Sequence, residues 1–146
     1  MRVDFYQLSR DPVERVVAML ARKVLQAGSR LLVVSADAEQ RQRFSRELWR
    51  AAPEEFLAHG ETGRGHEDRQ PILLSDRAEP MNGADMVLLA DGIWREEALQ
   101  FDRALLVFGE RETDAARSLW RALDGKEEVE REIHKQDESG KWRAGG

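Results

Sequence analysis

Arg117, Trp120 and Arg121 are the residues whose types and spacing most plainly suggest chemistry, and that chemistry is recognition of an acid. They stand at i, i+3 and i+4, so a helix sets all three on one face. Two guanidinium groups beside an indole suit a receptor. The cations can clamp carboxylates while the ring packs an apolar side chain. Arg111, just upstream, adds to the same positive charge. The plainer alternative is a solvated helix on which both arginines pair with Glu112, Asp114 or Asp124.

A second candidate is the corner from Phe44 to His59. Phe44 and Leu48 lie four apart on a predicted helix, and Trp49 sits one residue further, about 100° off that apolar stripe. Pro53 ends the helix, because it lacks an N–H and restricts the residue before it. Phe56 and Leu57 follow at once, with His59 close behind. Trp49 is then either a rim residue of the core or a partner contact of the kind tryptophan favours.

Little else in the chain suits catalysis. The three histidines, His59, His66 and His134, have no helical ligand spacing and no carboxylate at a metal-motif offset, so no metal site is expected. His59 reads as a hydrogen-bonded structural residue and His66 as a solvated one. Neighbouring acids such as Glu54 and Glu55, or Glu127 and Glu128, need not face one another. The glycines of residues 60–65 follow a helix and precede a strand, which is the wrong order for a phosphate-binding loop. No Gly-x-Ser-x-Gly turn occurs. There is no cysteine, hence no thiolate ligand, disulfide or cysteine nucleophile, in keeping with a reducing cytoplasm. A net charge of −5 argues against broad duplex-DNA binding. No apolar run resembles a leader or a membrane span.

The elements that must hold these residues alternate. Arg2–Leu8 reads as a strand. Asp11-Pro12-Val13-Glu14 starts a helix, with Asp11 as cap, Pro12 at the first helical position and Glu14 completing a capping box. Val13, Val16, Val17, Leu20 and Val24 recur at helical spacing, and Gly28 closes that helix. Leu31–Val34 is a buried strand, and Asp37 with Gln40 caps a helix running to about Trp49. Residues 60–70 are expected to be a mobile loop, followed by strands at 71–74, 85–90 and 103–108. A third helix spans about 112–124 with Ala115, Leu119, Ala122 and Leu123 as its apolar stripe. Val129 and Ile133 alternate weakly, residues 138–141 turn a hairpin into Trp142, and residues 143–146 are expected to fray. The alternation predicts one α/β domain over residues 1–146, with a largely parallel sheet and no internal repeat.

Several stretches together resemble the chi subunit of bacterial DNA polymerase III holoenzyme. They are Val3-Asp-Phe-Tyr-Gln-Leu8, Leu48-Trp49 with Phe56-Leu-Ala-His-Gly60, and Gln70-Pro-Ile-Leu-Leu-Ser75. They continue through Asn82-Gly-Ala-Asp85, Ala116-Arg117-x-x-Trp120-Arg121, and Lys135-Gln-Asp137 with Gly140-Lys-Trp142. The resemblance implies a Rossmann-like, three-layer domain with no catalytic centre and no cofactor. It implies a cytoplasmic accessory subunit associated with the clamp loader, which holds the acidic C-terminal tail of single-strand DNA-binding protein and meets DNA only indirectly. Arg117 and Arg121 would then meet the tail's carboxylates beside Trp120. Trp49 and Phe56, with Leu57, would face a psi subunit, where one is present, or a helicase. The alternative is a small α/β nucleotide-binding domain or enzyme of unknown substrate, with its ligand at the carboxyl ends of the strands.

Overall fold

Short apolar runs flanked by polar turns make the strands, and 3.6-residue periodicity makes the helices. A computed structural model describes residues 1–51 and 58–144. Its strands are β1 (Arg2–Gln7), β2 (Leu31–Val34), β3 (His59–Glu61), β4 (Ile72–Ser75), β5 (Met86–Leu89), β6 (Arg103–Phe108), β7 (Glu130–Gln136) and β8 (Trp142–Ala144). Its α-helices are α1 (Val13–Gln26), α2 (Ala38–Ala51) and α3 (Thr113–Asp124). The strands form one sheet in the order β3-β4-β2-β5-β6-β1-β7-β8, parallel throughout except for the β7–β8 hairpin.

Both faces of the sheet are covered, which is why β2 reads LLVV without alternation. On one face, Leu31 and Val33 meet α1 and α2 through Val17, Leu20, Phe44 and Leu48. On the other, Leu32, Val34, Phe5 and Phe108 meet Ala98, Phe101 and the α3 residues Ala116 and Leu123. The result is the α/β, Rossmann-like three-layer architecture that the resemblance implies.

Three local expectations change. Asp11 does not cap α1. Pro12 occupies the cap position without a side-chain cap bond, and Asp11 instead accepts from the buried Gln136 amide at 2.7 Å. A buried amide needs a partner more than an exposed helix end does. Glu14 likewise turns to Arg43, at 2.9 Å. Asp37 does cap α2, its Oδ1 accepting from the Glu39 N–H at 3.0 Å, but Gln40 accepts from the Ser35 hydroxyl.

Second, residues 59–61 form an edge strand paired with β4, and residues 67–69 form a 3-10 turn, where a continuous loop is expected. A Cβ on Gly60 would lie 2.7 Å from the Gln70 side chain, so any larger residue there would have to displace that side chain. The Glu67 carboxylate accepts from the N–H groups of Gly63 and Gly65. Third, the buried stripe of α3 runs through Ala116 and Leu123, with Leu119 and Trp120 packed beside them, while Ala115 and Ala122 are exposed. The larger side chains win the buried face because they remove more apolar area from water.

Candidate functional site

β1 and β7 pair in parallel register, so Phe5 and Gln7 stand beside Ile133 and Lys135 on the face toward α3. α3 crosses that face and leaves a cavity of about 640 Å³ between helix and sheet. Its floor is apolar, formed by Phe5, Phe108 and Ile133, with Trp120 as a side wall. The Phe5 ring meets Trp120 edge-on at 5.2 Å and Phe108 at 6.5 Å, the geometry aromatic quadrupoles prefer. Arg117, Arg121 and Lys135 stand exposed around the opening.

The acids that could neutralise those arginines are mostly engaged elsewhere. Asp124 pairs with Arg131 at 2.5 Å, and Glu112 Oε1 accepts from the Gly109 N–H at 3.3 Å. Asp114 lines the cavity itself. Among the described residues neither Arg117 nor Arg121 forms an ion pair, so the surface-pairing alternative does not hold in this structure. Three cations over an aromatic floor can take up a carboxylate together with an apolar group.

The structure thus brings Arg117, Trp120 and Arg121 to one cavity. Arg111 lies in the turn over Glu110–Glu112, exposed and outside the lining. Trp49 is 53% exposed, its ring tilted against His59 at 4.8 Å. His59 in turn shares a 2.8 Å hydrogen bond with Ser45, the structural role its position suggests. Phe56 and Leu57 lie outside the described residues. Sequence reasoning missed Lys135 and Arg131. Lys135 enters through the register of β7. Arg131 lies over the Trp120 ring, its Cζ 4.3 Å from the ring centre. Spacing within one element carries no signal of either, because both contacts join a strand to a helix.

A second polar cluster lies on the opposite face. Asp4 is fully buried in β1 and accepts from Arg2, Arg103 and His134, at 3.1, 2.5 and 3.1 Å. Burial opposes its charge, but the bonds from Arg2, His134 and Arg103 outweigh it and hold the carboxyl below its ordinary range. His134 stacks on Tyr6 at 4.5 Å. Asp4, Glu132 and His134 bring ligand atoms close enough for a metal ion, but Arg2 bonds both acids and Arg103 bonds Asp4. Guanidinium groups already take up the positions a cation would neutralise.

The carboxyl ends of β2 and β5, where the connections diverge, are where an α/β domain would hold a nucleotide. Here Asp91 reaches across to accept from the Ala36 N–H at 3.0 Å and takes two bonds from Arg95. A carboxylate of the chain itself thus takes up the Ala36 N–H at the end of β2. A smaller cavity of about 460 Å³ lies at the carboxyl ends of β1 and β6 and adjoins the first through Gln7 and Thr113.

No helix among the described residues is long and apolar enough to cross a membrane. The family model described as DNA polymerase III chi subunit, HolC, matches residues 1–128 of the chain. Among curated proteins no sequence matches it.

Proposed function

We propose that this chain, which belongs to the DNA polymerase III chi subunit family, is a non-catalytic adaptor of the replication machinery. Membership makes it an accessory polymerase subunit associated with the DNA polymerase III complex. In our reading, the cavity beside α3 receives the acidic C-terminal tail of single-strand DNA-binding protein. Arg117 and Arg121 bind the tail's carboxylates, and the aromatic floor takes its terminal apolar side chain. The corner at Trp49 meets a psi subunit or a helicase, which ties the tail to the clamp loader. Such an adaptor works in the cytoplasm and needs no cofactor.

One observation carries this reading: two exposed guanidinium groups, without ion pairs among the described residues, border an aromatic-floored cavity. The contact is expected to be weak and salt-sensitive. An oligomeric partner presenting several tails would compensate through avidity. Calorimetric titration with a tail peptide is the test. Arg117→Ala weakens binding by about 1.5–3 kcal/mol, the range for hydrogen bonds to charged groups. Equal binding by wild type and variant removes the assignment. A thermal shift with ATP or NAD, and none with the peptide, moves the chain to the nucleotide-binding alternative.

A further inference from the structure

We infer that Arg131, anchored by Asp124, is the positioning residue of this cavity: it braces the Trp120 ring from behind and so sets the slot that the ring walls. The inference rests on the tail-binding reading. It concerns a residue outside the cavity lining.

The β1–β7 register places Arg131 beside Val3, Ile133 beside Phe5 and Lys135 beside Gln7. These alternate residues of β7 share the face toward α3. Ile133 and Lys135 line the cavity, whereas Arg131 acts one layer back. Its guanidinium lies over the indole, donates to the Trp120 carbonyl oxygen, and donates to Asp124 Oδ1 at 2.5 Å. A planar guanidinium can offer its face to a ring and its edges to two acceptors at once, and a lysine ammonium cannot. The indole also meets Phe5 edge-on. The ring therefore touches both a cation and a phenyl group, with its own backbone tied to the same cation.

Positioning and simple electrostatics predict opposite signs for Asp124→Asn. Asp124 is an acid close to a site for an acidic ligand. Through the field alone, Asp124→Asn tightens binding and Arg131→Lys leaves it unchanged. Through positioning, both weaken it. Asp124 is 71% exposed, so its replacement does not open the core.

The probe is a synthetic peptide carrying several aspartates and a C-terminal phenylalanine, titrated into the full chain. The indole N–H resonance of Trp120, assigned by its loss in Trp120→Phe, is followed in the same samples. Asp124→Asn and Arg131→Lys each lower affinity about fivefold, the equivalent of one lost cation–π contact, and each shifts or broadens that resonance. An Asp124→Asn variant that binds as tightly as wild type, or more tightly, overturns the proposal whether or not the resonance moves. Failure of wild type to bind the peptide overturns the tail reading instead, and the resonance alone then decides whether Arg131 fixes the ring.

Discussion

Arg46-Glu-Leu-Trp-Arg50 on α2 and Arg117-Ser-Leu-Trp-Arg121 on α3 carry the same arginines, leucine and tryptophan at the same spacing. The fold uses them differently. In α2 the buried stripe runs through Phe44 and Leu48, 0% and 1% exposed, so the leucine stands at its centre and Trp49 projects outward. In α3 the stripe runs through Ala116 and Leu123, so Leu119 and Trp120 straddle it and both are half-buried. Rolling a helix by roughly half of its 100° residue step changes the indole from a surface knob into a cavity wall. The surroundings complete the difference. α2 packs against α1, whereas α3 lies over β1 and β7 with a gap between helix and strands. A five-residue pattern therefore has no fixed role; the phase of its apolar neighbours assigns one.

Charge reversal is the strongest way to break this comparison. Arg117→Glu with Arg121→Glu removes two charge-assisted contacts and costs about 3–6 kcal/mol of tail-peptide binding. Arg46→Glu with Arg50→Glu changes the charge by the same amount and costs less than about 0.5 kcal/mol, because nothing bound beside α3 touches α2. Calorimetry at low ionic strength reads both. Added salt weakens the wild type and scarcely affects what binding the α3 variant retains. Equal losses from the two pairs would mean that a diffuse field, rather than the α3 cavity, attracts the peptide.

The tryptophans separate next. Trp120→Ala removes a wall packed on Phe5 and under Arg131, and lowers stability by about 2–3 kcal/mol, less than a fully buried aromatic truncation because the ring is only half-buried. Trp49→Ala removes a ring that is 53% exposed and costs at most about 1 kcal/mol. Urea denaturation followed by circular dichroism gives both values. Reversed magnitudes would show that the stability of the fold rests on the α2 indole rather than on the wall of the α3 cavity.

How much of this was legible beforehand follows the same division. Strands and helices announced themselves wherever one segment decided its own burial, as with Leu31–Val34 or the valines of α1. The arginine–tryptophan triad was legible because helical spacing is local. What spacing could not supply came from partners distant in sequence. Asp11 left its expected cap for Gln136, 125 residues away, and Asp4 gathered Arg103 and His134 from 99 and 130 residues away. Edge strand β3 exists through its pairing with β4, with Gly60 packed against the Gln70 side chain. Lys135 and Arg131 reached the cavity only through the parallel register of β7 with β1. Ala115 and Ala122 stand exposed although the spacing places them in the stripe of α3, because alanine is small enough to go unburied, and Trp120, outside that predicted stripe, packs on the buried face instead.

The smallest expected effect tests whether the two helices act separately. Asp37 Oδ1 accepts from the Glu39 N–H at the start of α2, whereas α3 begins without any side-chain cap bond. Asp37→Ala leaves that amide to water and costs about 1 kcal/mol, read from the urea midpoint. The frayed turn is nearly three turns from Trp49 and on the far side of the sheet from Arg117, so tail affinity stays at its wild-type value. A parallel drop in affinity would mean that the start of α2 governs the α3 cavity through the strands between them, and the two arginine–tryptophan faces would then have to be treated as one coupled unit.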